Sequence, residues 1–172
     1  NYLLFHTAAE LFAILIGVLL CVVAWQTYSF SKNSFLMYLG CGYFWVAVLD
    51  GVHTLVYKGM NIYPFTVANP ATQFWIATRY LEAQLLLTAP LFLDRAVAKN
   101  RTFLGFGMVA VALYALIMTG RFPDAFIEGQ GLTPFKVTSE YVIIATLTGA
   151  LAFLTRIRTL MEPRVFALLT VS

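Results

Sequence analysis

Long apolar runs separated by short polar turns dominate the chain, and their lengths, more than any alternation within them, predict its elements. A first run covers residues 3–28 and is closed by Ser31, Lys32, Asn33 and Ser34; a second covers residues 35–57. After a loop at residues 58–68, Asn69 and Pro70 supply an N-cap and a first-turn proline for a third run that reaches about residue 93. The fourth covers residues 102–119. A Gly- and Pro-bearing loop at 120–132 follows, and Thr133 and Pro134 repeat the cap-then-proline signal for a fifth run ending near residue 155. Pro163 would begin a sixth.

Each run matches the roughly 20 apolar residues needed to cross a hydrocarbon core of about 30 Å. The fold class expected is therefore all-α: a polytopic transmembrane helical bundle with five full spans plus the start of a sixth. The composition agrees, since 60% of the 172 residues are hydrophobic and only 11% charged, with mean hydropathy +0.80. A water-soluble core of this size cannot hide that much apolar surface. No internal repeat, low-complexity stretch or soluble linker divides the chain, so residues 1–172 read as one transmembrane domain. It starts at Asn1 without a methionine and stops inside an apolar run at Ser172, which reads as a fragment truncated in the sixth span.

The net charge of +3 and pI near 9.0 raise nucleic acid as a partner, but the basic residues fall in short clusters between apolar runs, as membrane topology requires. Nucleic acid is discarded. Lys32, then Arg95, Lys99 and Arg101, then Arg156, Arg158 and Arg164 follow the odd-numbered runs, so these are expected to end in the cytoplasm with Asn1 extracytoplasmic. Cys21 and Cys41, each inside an apolar run, read as packing residues rather than a disulfide or zinc framework. Trp25, Tyr28, Tyr57, Tyr63 and Trp75 suit headgroup depth, and Gly17, Gly40, Gly42, Gly105 and Gly107 suit close helix approach.

The informative residues are the ionisable ones inside the runs: His6 and Glu10, Asp50 and His53, Arg79 and Glu82, and Glu140. Each costs on the order of 3 kcal/mol near the bilayer centre unless paired, hydrated or functional. At about 1.5 Å per residue, the first two pairs lie roughly 5–11 Å below the outer ends of their helices. All seven fall in the outer half of the membrane by this count, and the inner half of the same runs carries no formal charge. The three pairs are spaced i, i+4 or i, i+3, so each shares one helix face.

Two imidazoles and two carboxylates at His6, Glu10, Asp50 and His53 suit a transition metal, and two facing histidines suit axial ligation of a haem. An ion-pair and hydrogen-bond network ordering the bundle, or an organic or protonatable ligand, fits the same residues. Arg79 reads first as a structural partner of Glu82, extended to Asp50 or Glu140, and otherwise as an anchor for an anionic ligand. Glu140 reads as the partner of Lys136 one turn earlier. No Gly-rich nucleotide loop, serine elbow or zinc-protease histidine pair is present, so the chain does not read as an enzyme. A transporter or proton pathway, and a metal-dependent intramembrane enzyme, are the alternatives to a sensor.

Phe5-His6-Thr7 with Glu10, Leu49-Asp50-Gly51-Val52-His53-Thr54 running into Tyr57-Lys58-Gly59-Met60, and Trp75-Ile76-Ala77-Thr78-Arg79-Tyr80-Leu81-Glu82 carry a further signal. With Leu132-Thr133-Pro134-Phe135-Lys136 and Ser139-Glu140-Tyr141, they resemble the bacterial membrane-associated sensor domain of the third type along essentially the whole chain. The resemblance implies a multi-pass module of the bacterial inner membrane, placed before cytoplasmic histidine kinase, diguanylate cyclase or PAS output; a homodimer is expected for such an input domain coupled to a dimeric effector. It implies His6, Glu10, Asp50, His53, Arg79 and Glu82 as shared residues, and it leaves the ligand open.

Overall fold

The computed structural model describes residues 2–60, 62 and 67–156. Five long helices follow one another: α1 (Tyr2–Ser31), α2 (Ser34–Val56), α3 (Asn69–Thr88), α4 (Lys99–Met118) and α5 (Pro134–Arg156), with a 3₁₀ turn at Ala89–Phe92 after α3. The expected sixth span, with Arg158 and Arg164, lies outside the described residues, as does Tyr63. Four of the helices, α1, α2, α4 and α5, are long and apolar enough to cross a membrane. The third, expected to be a span like the others, is not among them: Asn69, Gln73, Arg79, Glu82 and Gln84 make it too polar by composition.

α2 is the hub, packed against α1, α3 and α4, while α3 also packs on α4 and α5. The tight turn at Lys32 and Asn33 makes α1 and α2 antiparallel neighbours, with Asn33 Oδ1 capping α2 through the Leu36 N–H at 2.9 Å. The register is set by close backbone approach. A Cβ on Gly40 would lie 2.7 Å from Ala24 Cβ and 3.1 Å from Cys21 Cα, and one on Gly17 would lie 2.9 Å from the Tyr43 carbonyl oxygen. Gly105, expected to serve the same purpose, makes no close approach: a Cβ there would meet nothing within 4 Å, and the residue borders a groove between α3 and α4. The outward faces of α1, α4 and α5 expose large apolar side chains such as Phe12, Leu104, Met108 and Ile144, a surface suited to lipid rather than water.

α3 differs from expectation at both ends. It stops at Thr88 because Pro90 lacks an N–H and its ring crowds the carbonyl four residues back. Its N-cap is Ala68, without a side-chain cap bond, whereas Asn69 had been expected to cap it. Asn69 is used elsewhere. Its Oδ1 accepts from the Ala125 and Phe126 N–H groups at 2.9 and 3.0 Å, and its Nδ2 donates to Asp124 at 2.8 Å.

This clamp secures a feature not legible as an element, an antiparallel hairpin of β1 (Phe126–Ile127) and β2 (Gly131–Leu132) within the α4–α5 loop. Gly129 turns it at φ +82°, a left-handed conformation that glycine adopts without strain. Gln73 Nε2 holds the same loop through the Phe122 and Pro123 carbonyls, and Glu128 accepts from Lys58 Nζ and the Ala68 N–H. Replacing Asn69 by Ala removes three bonds and is expected to lower the local opening free energy of the hairpin by about 1–3 kcal/mol. Hydrogen exchange at the Ala125 and Phe126 amides reads this directly, and unchanged protection would show that the clamp is dispensable.

Candidate functional site

The antiparallel α1–α2 pair dictates where the polar side chains meet. The start of α1 lies beside the end of α2, so His6 and Glu10 are delivered to the same level as Asp50 and His53. α3 packs against α2 and brings Arg79 to that level from the other side.

Asp50 is 4% exposed and sits under the Arg79 guanidinium. Nη2 of Arg79 donates to both Asp50 oxygens, at 2.9 and 2.8 Å, and Nη1 donates to Glu82, one turn further along α3. One guanidinium therefore ties two carboxylates on two helices, which satisfies charges that would be intolerable singly in a low-dielectric interior.

His53, also 4% exposed, places Nδ1 2.8 Å from the Ala71 carbonyl oxygen. A carbonyl only accepts, so the neutral ring carries its proton on Nδ1 and keeps the Nε2 lone pair free. Its ring meets His6 edge-on, with centroids 5.8 Å apart and planes at 88°. His6 Nδ1 lies 3.9 Å from Glu10 Oε1, and the buried His6 Nε2 has no hydrogen-bond partner among the described residues. One donor atom from each of His6, Glu10 and His53 falls within 4.8 Å of the others.

The donor set expected for a metal joined Asp50 to these three, and the geometry does not gather all four. Asp50 has both oxygens committed to Arg79, one of the two extensions expected for the Arg79–Glu82 pair, the other being to Glu140. The Glu10 charge still acts on Asp50, His53 and Arg79, so the two halves form one electrostatic unit. Glu140 stands apart: it pairs with Lys136 on α5 and borders a separate cleft with Trp75.

A cavity of about 500 Å³ opens beside the cluster, lined by His6, His53, Tyr57, Lys58, Trp75 and Lys136 among others. The Lys136 ammonium sits over the Trp75 ring, 4.9 Å from its centroid, so Trp75 forms part of the cavity wall as well as suiting headgroup depth. The hairpin contributes Phe126 and Leu132 to the lining. These contributions, like the Ala71 carbonyl, were missed in the sequence because they depend on how loops fold back over helix ends. A somewhat larger groove between α3 and α4 is almost entirely apolar and holds no charged side chain, so the chemistry belongs to the smaller cavity.

An all-α bundle with four helices long and apolar enough to cross a membrane, and a multi-helix charge cluster at one end, is the architecture of a polytopic membrane domain. The whole chain, residues 1–172, matches the family model of MASE3, a membrane-associated sensor domain, and the protein belongs to that family. No curated protein and no solved structure matches it.

Proposed function

We propose that the chain is the sensory input module of a bacterial signalling protein of the histidine kinase or diguanylate cyclase type, and that the cavity beside His6 and His53 receives its stimulus. A sensor domain is not itself catalytic, so the output belongs to a cytoplasmic partner domain. In this reading α3 is a fifth span, screened from lipid by α2, α4 and α5, which is why it tolerates Gln73, Arg79 and Glu82. The module lies in the inner membrane as a homodimer, with the α1 start extracytoplasmic. Lys32, Arg95, Lys99, Arg101 and Arg156 all fall at the opposite end of the helices from the cluster, as the positive-inside rule requires.

The observation that carries the reading is the continuity of the cluster: α1, α2 and α3 are joined by His6, Glu10, His53, Asp50 and Arg79 at the same level as an open cavity. A ligand there touches the contacts that set the relative positions of three helices. To act as a signal it must bind one bundle arrangement more tightly than another, and each tenfold preference shifts the balance by about 1.4 kcal/mol. A transport path, by contrast, calls for ionisable groups through both halves of the bilayer.

The test uses the full-length protein in its own cells. Output should vary with growth conditions, and His53→Ala, at equal expression, should hold it at a single level. The same variation in His53→Ala would remove the cavity from the mechanism.

A further inference from the structure

We infer that His6, Glu10 and His53 form a three-ligand site for a divalent transition cation of borderline softness, with zinc as its representative. This deepens the sensory reading and rests on it for consequence, since the cation would be the stimulus or the part of the protein that binds it.

Three independent features point to a cation. The first is donor chemistry: two imidazoles and one carboxylate are the set that holds zinc or ferrous iron with positions to spare, whereas calcium and magnesium call for oxygen donors throughout. The second is preparation of the donors. The Ala71 carbonyl holds the proton of neutral His53 on Nδ1 and so leaves Nε2 as a lone-pair donor, the backbone support that metal-bound imidazoles use. On His6 the buried Nε2 has no partner among the described residues, although a buried ring nitrogen ordinarily finds one.

The third feature is charge. Glu10, Asp50 and Glu82 bring three carboxylates to the cluster and Arg79 brings one guanidinium, so the ionised set with neutral imidazoles is short of two positive charges. Lys136 and Lys58, the ammonium groups lining the cavity among the described residues, are engaged by Glu140 and Glu128. A dication supplies the missing charge where lipid makes the deficit costly.

Donor atoms around tetrahedral zinc stand roughly 3.3 Å apart. The three here lie within 4.8 Å of one another, somewhat wider than that spacing, so the side chains must draw together to close on a cation. His6 and His53 also line the cavity, which leaves one side of the cation open to water or an anionic ligand. A haem is a poorer fit, because a macrocycle would displace Tyr57, whose ring centroid is 4.5 Å from that of His6, and Tyr2, stacked on His6 at 6.0 Å.

The test is zinc titration of the chelator-stripped protein in lipid nanodiscs against a chromophoric competitor, followed by cobalt substitution. One zinc per chain is expected, with at least tenfold weaker binding in His53→Ala and in Glu10→Gln. Glu140→Gln should bind as the unaltered protein does. Glu10→Gln keeps the side-chain volume, and bound cobalt should show the strong visible absorption of a four-coordinate site. Absence of zinc, cobalt and ferrous iron binding overturns the inference, as does binding that ignores both substitutions or a Soret band in place of a metal. Loss of zinc binding with output still dependent on His53 sinks the metal site alone. Zinc binding intact with output indifferent to His53 sinks the sensory reading instead.

Discussion

Replacing Arg79 by Leu is expected to cost about 3–5 kcal/mol of stability. The cost comes from what remains. Asp50, whose side chain is 6% exposed, would keep a carboxylate with both oxygens stripped of their donor, and Glu82 would lose its only cationic partner among the described residues. Leucine is shorter than arginine and leaves part of the space unfilled, so a cavity cost adds to the electrostatic one. Asp50→Asn in the same chain removes the stranded charge and should recover a measurable part of the loss. Unfolding of all four members of the cycle in detergent gives the coupling directly, and contacting charges of this kind give 0.5–3 kcal/mol in general. Additive effects would mean that Asp50 and Arg79 are not partners in the folded protein.

That pair also shows how far sequence reading reaches. Hydropathy placed α1, α2, α4 and α5 within a few residues, because lipid imposes a length and a composition on a span, whereas α3 ended earlier than expected and is too polar to be read the same way. Asp50, His53, Arg79 and Glu82 stood out for the same reason: ionisable groups inside apolar runs are too costly to be incidental. The pairing of Arg79 with Glu82 and Asp50, and of Lys136 with Glu140, was anticipated; which residues group as ligands was harder to read. Spacing along one helix shows which residues share a face, but it does not show which neighbour that face meets. His6, Glu10, Asp50 and His53 therefore looked like one set of ligands, and α3 divides them by claiming Asp50 for Arg79. The hairpin of residues 126–132 was hidden more deeply. It depends on Asn69 and Gln73 leaving their own helix to bind a loop about fifty residues away, and a residue before a proline at a helix start is ordinarily read as a cap.

Helix packing is the remaining link between fold and site, and Gly40→Leu tests it. Gly40 lies near the end of the α1–α2 pair opposite His6 and His53, and the obstacles to a side chain there are Cys21 Cα, the Leu20 carbonyl oxygen and Ala24 Cβ. Two of these three are backbone atoms, so no rotamer change makes room and α1 itself must move. Overpacking of this kind costs about 1–3 kcal/mol. Gly105→Leu is the matched control: a Cβ there meets nothing within 4 Å and the side chain has the open groove beside it, so the same substitution should leave the melting temperature nearly unchanged. The functional consequence follows from the hairpin-like pairing of the two helices. His6 and Glu10 ride on α1 and His53 on α2, so tilting α1 away spreads donors that now lie within 4.8 Å of one another. Gly40→Leu should therefore weaken zinc binding by tenfold or more without touching a ligand, while Gly105→Leu leaves it alone. Equal melting temperatures for the two variants would show that α1 does not pack on α2 through Gly40. A destabilised Gly40→Leu with undiminished zinc affinity would show that the site does not depend on how those helices meet.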